Sequence, residues 1–427
     1  MKTMYFLWGA VFCVACTPLL AQNSQQQTPI QQQILNAPIY YQNQIGGNAT
    51  RGETTRANDT LPKPQPRTRS VVDNTKARIQ VALLLDTSNS MDGLIEQAKS
   101  QLWKIVNELS HARDAQGNAP DMDIALYEYG NDGLSEKGNY IRMVSPMTTD
   151  VDFISEQLFA LRTNGGNEYC GAVIHEAVDS LVWNRHNDDL RLVFIAGNEP
   201  FTQGPIDYKV ACKAALAKGI VINTIFCGNI DEGRESGWKD GADCSEGHYL
   251  NINSDAVAVH IDAPQDSLIN QLNQKLNDTY IAYSSYGMDR KKMQVTQDQN
   301  AMVYGTANNA QRAVAKASAK YKNDDWDLVD AAKEKGGAGA ALESAEEAYL
   351  PEEMKKMSKE ERVKFVEQKT KERAELQTQI QNLDTERRKY VAEKEREIAQ
   401  NGEKTLDNAL LMTIRKQAIA KKYQFKD

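Results

Sequence analysis

The sequence is poor in the residues from which catalytic centres and membrane spans are built. It has five histidines in 427 residues, and aromatic side chains make up only 7%. No Gly-x-Ser-x-Gly elbow or His-Glu-x-x-His helix occurs, and beyond the first 21 residues there is no Cys-x-x-Cys. These gaps exclude the common hydrolase, zinc-protease and dithiol chemistries. Long apolar runs are missing too, except at the extreme N-terminus, so no membrane bundle can form. Basic charge is scarce where it would matter for nucleic acid. The chain carries 50 Lys+Arg against 58 Asp+Glu, and residues 77–283 are more acidic than the rest. Such a surface repels phosphate backbones and suits cations or basic partners.

The N-terminal apolar run reads as an export signal over residues 1–21. Lys2 precedes an apolar stretch from Tyr5 to Ala15, and Leu19-Leu20-Ala21 provides a small-residue exit. Val14-Ala15-Cys16 offers an alternative, a lipoprotein anchor at Cys16. The expected location is therefore the periplasm, the cell envelope or the exterior. Residues 22–76 are Gln-rich and then Pro-rich (Leu61-Pro-Lys-Pro-Gln-Pro-Arg67), with too little apolar surface to fold, and predict a disordered tether. Cys170, Cys212, Cys227 and Cys244 remain, an even number that favours disulfides in an exported chain. Cys227 ends a predicted strand and Cys244 lies in the next loop, so these two are expected to pair. A Cys170–Cys212 bond is the further possibility.

From residue 77 to 283 apolar strands alternate with amphipathic helices. Val81-Ala-Leu-Leu-Leu85 is a continuous apolar run of the kind buried on both faces, and the pattern predicts a three-layer α/β domain with a mostly parallel sheet. Residues 284–356 form a connecting segment with a flexible Gly336–Ala340 joint. Residues 357–427 predict helix, opened by a Ser358-Lys-Glu-Glu361 capping box. Leu376, Ile380, Leu383 and Tyr390 outline a short heptad seam, interrupted by Lys369, Arg373, Arg387 and Lys394. The seam serves either a coiled-coil self-association or a fold-back onto the same chain.

Asp86-Thr87-Ser88-Asn89-Ser90 follows the first buried strand, where parallel α/β sheets bind ligands. One carboxylate and two hydroxyls on a single turn form a hard oxygen set suited to Mg²⁺, Mn²⁺ or Ca²⁺. The alternative is a helix cap from Ser88 or Ser90. With this strand-turn, the Gly165-Gly166 loop and the Leu192–Pro200 strand, residues 77–283 resemble the von Willebrand factor type A (VWA) domain family. The resemblance implies a three-layer, Rossmann-like VWA fold and a metal-ion-dependent adhesion site at Asp86, Ser88 and Ser90. That site would bind a protein partner through the partner's carboxylate. The sequence departs from the family where a Thr and an Asp complete the site: the corresponding positions are Asn167 and Gly197. Glu168 and Glu199 stand beside them as further candidate ligands.

The expectation is therefore an exported, non-enzymatic binding protein with a degenerate adhesion site. The alternatives are an assembly protein with a vestigial site that acts through its helical tail, and, last, a hydrolase around Cys170 and His175. The spacing of five between those two does not place them on one helical face.

Overall fold

The computed structural model describes residues 76–252, 261–400 and 406–425. The leader, Cys16 and the tether lie outside these residues. At the centre stands β1 (Arg78–Asp86), preceding helix α1 (Asp92–Ser110) and a two-residue strand β2 (Ala112–Arg113). Then come β3 (Asp121–Tyr129), β4 (Ile141–Thr148), α2 (Val151–Ala160), α3 (Cys170–Ser180), β5 (Leu190–Gly197), α4 (Tyr208–Ala217) and β6 (Ile220–Cys227). Short helices α5 (Ile230–Glu235) and α6 (Trp238–Asp243) lead to β7 (Tyr249–Ile252). The sheet order is β4-β3-β1-β5-β6-β7, all parallel except the edge strand β4. That is the Rossmann-like order, with its switch point beside β1.

Alternation along the strands divides the core. Val81, Leu85, Ile124, Leu192 and Phe194 pack beneath Leu94, Leu102, Trp103 and Val106 of α1 and Ile154 of α2. Ala82, Leu84, Tyr127, Val193 and Ile195 pack on the opposite face under α3 and α4. A strand buried on both faces must be apolar at every position, which is why 81–85 has no polar residue.

The same alternation corrects the expected cysteine pairing. The disulfide joins Cys212 to Cys244. Cys227 follows the parity of Ile225 and packs on the α1 side, whereas Cys212 and Cys244 lie on the α4 side. The sheet stands between Cys227 and its predicted partner. Cys170 and Cys227 are free and buried. A structural disulfide of this kind belongs to oxidising compartments.

After β7 the chain is helical: α7 (Asp266–Asn277), α8 (Gly287–Val303), α9 (Thr306–Ala317), α10 (Leu328–Lys335), α11 (Ala338–Glu343), α12 (Glu352–Lys355), α13 (Lys359–Gln400) and α14 (Leu406–Ala420). The predicted joint at Gly336–Ala340 is instead a tight turn, with Gly336 at φ 84° and Gly337 at φ 137° and α11 starting at Ala338. Leu376 and Ile380 of the heptad seam are buried against Ile269, Leu276, Tyr280 and Ala313 of the same chain. For these positions the fold-back holds. Ile414 and Ala418 of α14 join the cluster of Leu250 and Ile252, and the final strand β8 (Gln424–Phe425) pairs with β2. No helix among the described residues is long and apolar enough to cross a membrane.

Candidate functional site

Asp86 is the last residue of β1, fully buried, at the C-terminal end of the parallel strands. The turn after it is fixed from both sides. The Thr87 amide donates to the Tyr129 carbonyl at 2.9 Å, and the Asn164 amide donates to the Thr87 carbonyl at 2.9 Å. Asn131 Nδ2 donates to the Arg162 carbonyl at 2.9 Å, tying the loop after β3 to the loop before α3. Within the turn, the Ser88 amide donates to Asp86 Oδ1 at 2.7 Å. The Ser88 and Ser90 hydroxyls are 3.3 Å apart, and Asn198 Nδ2 donates to Ser90 Oγ at 3.1 Å. Carboxylate and hydroxyls therefore share one small region.

Glu168 is brought to the same place. It is buried, and together with Asp86 it closes over Gly130: a Cβ there would lie 2.7 Å from Asp86 Oδ1 and 2.8 Å from Glu168 Cγ. Gly130 also has φ 77°, so both space and backbone require glycine. Asn167, the candidate in the threonine position, is exposed. Glu199 is half-buried; its carboxylate accepts from Gln203 Nε2 at 3.2 Å and its carbonyl accepts from Trp238 Nε1 at 2.8 Å.

Gly197 has a steric cause. A Cβ there would stand 2.6 Å from Tyr129 Oη, 3.1 Å from Asp86 Oδ2 and 3.1 Å from Trp238 Cη2. Tyr129 donates its hydroxyl to the Ala196 carbonyl at 2.9 Å. The space a fourth-strand acid would need is filled by Tyr129 and Trp238. Sequence reading missed this pair; Gly197 itself was the only available signal.

Burial pushes the Asp86 carboxyl up to about 8; the Ser88 amide pulls it down, while Glu168 and Glu199 add repulsion. Burial also raises Glu168 to about 7, with Glu199 next and Asp132 contributing. Asp86 Oδ2 is buried without a hydrogen-bond partner. Every other buried acid among the described residues has an Arg or Lys nitrogen at 3.2 Å or closer. Asp86 and Glu168 alone lack one.

The donor set of Asp86, Glu168, Ser88 and Ser90 fits a hard divalent cation with positions left open, and the unpartnered Asp86 oxygen is the atom such an ion would satisfy. Among the described residues no group of three or more His, Cys, Asp or Glu side chains is arranged to hold an ion by itself. Cys170 is buried, its thiol held up by desolvation and lying 3.8 Å from Tyr129 Oη. His175 Nε2 faces Asp179 at 3.5 Å on the half-exposed side of α3. A protonated, enclosed thiol is not an activated nucleophile.

No protein-family profile and no curated protein matches the chain. Solved structures do. Proximal thread matrix protein 1 of the mussel byssus is 13% identical over 43% of this chain and 44% of its own, with a TM-score of 0.32. BatB from Bacteroides thetaiotaomicron is 17% identical over 41% and 90%, at 0.32. The SpRpn10 VWA domain is 17% identical over 46% and 95%, at 0.30. The chain matches less than half the length of the mussel protein, which has also been solved with a zinc-occupied MIDAS motif.

Proposed function

We propose that this chain is an exported, non-enzymatic binding protein whose VWA-type α/β domain, residues 77–283, recognises a protein partner through a divalent cation. Asp86, Ser88 and Ser90 hold the ion, with Glu168 as the second carboxylate; Asn167 and Glu199 remain outer candidates. The leader at 1–21 directs export, or Cys16 anchors the chain, and residues 22–76 give the domain reach. One observation carries the reading: the two buried acids without an Arg or Lys partner are the two that meet at the end of β1. Ionising a buried carboxylate is costly unless hydrogen-bond donors or a cation offset the lost hydration, and among the described residues Asp86 has the Ser88 amide but no Arg or Lys beside it. The alternative of assembly through a helical seam has less support, because Leu376 and Ile380 are already covered within the chain.

The test is thermal unfolding of the full chain in EDTA and then in Mg²⁺, Mn²⁺ or Ca²⁺. An ion at 100 times its dissociation constant adds about 2.7 kcal/mol to the folded state. In a chain of this size that raises the midpoint by roughly 3 °C. The rise is expected in wild type and absent in Asp86→Ala. An unchanged midpoint with all three ions would sink the cation reading.

A further inference from the structure

The last helix of the chain covers a polar gap in the sheet. Val221, Asn223 and Ile225 of β6 share the parity that faces the α1 side, and between two apolar residues the strand places an amide. Asn223 is fully buried. Its cover is Gln417 of α14, whose Nε2 donates to Asn223 Oδ1 at 2.7 Å, while Asn223 Nδ2 donates back to Gln417 Oε1 at 3.1 Å. Ile414 and Ala418 are fully buried in the cluster that holds Leu250 and Ile252, and β8 pairs the end of the chain to β2. Two amides that part regain their hydrogen bonds from water, so this contact opens at less cost than an apolar one of the same size.

His248, the residue before β7, is held by the same helix. Its backbone amide donates to Asn223 Oδ1 at 3.0 Å, which fixes the Asn223 amide and through it the orientation of Gln417. Gln417 Nε2 then lies 3.3 Å from His248 Nδ1, and Lys416 Nζ lies 3.2 Å from His248 Nε2. Both ring nitrogens therefore face N–H donors. A neutral imidazole accepts at one of them; an imidazolium accepts at neither, and its charge meets the Lys416 ammonium. The other neighbours do not relieve this. β6 offers only the neutral Asn223, Glu246 in the preceding turn is exposed, and Arg415 of α14 turns away to Glu108 of α1, Nη2 to Oε2 at 3.4 Å. Burial and Lys416 hold His248 below the usual histidine range, and among the described residues no carboxylate acts against them.

We infer that α14 and β8 form an acid-released strap: a proton on the His248 ring breaks its contacts with Lys416 and Gln417, and the helix lifts from Asn223 and β7. The lifted state frees a histidine that titrates near its ordinary value of about 6.5, whereas the seated ring takes its proton only at lower pH. The lifted population is therefore constant at neutral pH and above, and grows as pH falls below about 6.5. The inference does not depend on the cation. The experiment is hydrogen exchange of the full chain in EDTA, read by mass spectrometry at about pH 7.5 and about pH 5, with each rate referred to the intrinsic rate at that pH. Opening of residues 411–420 is expected to rise about fivefold or more at the lower pH, with no rise over 81–85. His248→Gln, neutral at both values, should remove the rise, and Lys416→Met, on the exposed surface, should lessen it. Equal opening at the two pH values would overturn the inference. So would a rise that survives both substitutions, or one shared by 81–85, which would make the loss of protection global.

Discussion

In the helical layer, Arg373 is fully enclosed with its Nη1 2.5 Å from Asp327 and 3.0 Å from Asp330, and its guanidinium lies 3.8 Å from the Tyr280 ring centroid. Arg312 lies between Asp152 at 2.5 Å and Asp298 at 3.0 Å, over the Trp103 ring of α1. Lys316 adds a second cation 2.8 Å from Asp298, and Arg387 reaches Asp266 at 2.6 Å. Burial alone would raise Asp298, yet Lys316 and Arg312 hold it below the usual carboxylate range. At the end of β1 the same degree of burial meets only like charge, and Asp86 moves the other way. The chain neutralises its buried acids with its own cations in one region and leaves them unneutralised in the other. The missing charge at the second must be a proton or a cation from outside, which is the physical content of calling it a site.

The comparison breaks most visibly at Arg373. Arg373→Ala strands Asp327 and Asp330 in the interior, and removing one partner of a buried pair typically costs about 3–5 kcal/mol. Denaturant unfolding should show that loss; a loss below about 1 kcal/mol would mean that water or rearrangement rescues the acids, and the contrast with Asp86 would lose its force.

A pH series on the EDTA-treated chain sharpens the other half. Asp86 titrates near 8 folded, far above its ordinary value near 3.8, so the folded chain keeps a proton that the unfolded chain sheds. The stability from this group is fully present below pH ~4 and is lost as pH rises toward 8. Glu168, raised to about 7, acts in the same direction. The midpoint should fall by roughly 5 °C across that window, flatten in Asp86→Asn and recover with Mn²⁺ at pH 8. A wild-type curve parallel to that of Asp86→Asn would show that Asp86 is not the group responsible.

How much of this was legible beforehand divides along the same line. Local pattern revealed the strand 81–85, the turn that follows it and the capping box. That box closes as its spacing predicts, with the Glu361 amide donating to Ser358 Oγ at 3.2 Å and the Ser358 amide to Glu361 Oε2 at 2.8 Å. What stayed hidden depends on residues far apart in sequence. Arg373 and Arg387 look like interruptions of a heptad seam until Asp327 and Asp266, 46 and 121 residues away, are brought to them. Cys227 and Cys244 are near neighbours in the chain, but the sheet face each one takes is settled by tertiary packing. Gly197 reads as a lost ligand, and only the positions of Tyr129 and Trp238 show why no side chain fits there.

The smallest expected effect is the control that gives the others meaning. Lys322 is bonded to Glu334 at the surface, with about half of each side chain in water. Solvent screens such a pair, and its net worth is about 0–1 kcal/mol. Lys322→Ala should therefore shift the denaturant midpoint barely at all, although it removes the same unit of charge as Arg373→Ala. If both variants lost similar stability, the net charge of this acidic protein would be setting its stability, not the environment of each carboxylate. Asp86 would then titrate high because the whole molecule is negative, and adding any salt would serve as well as adding Mn²⁺. A large ratio between the two losses, with the Mn²⁺ effect confined to wild type, ties the behaviour of Asp86 to the few ångströms around it.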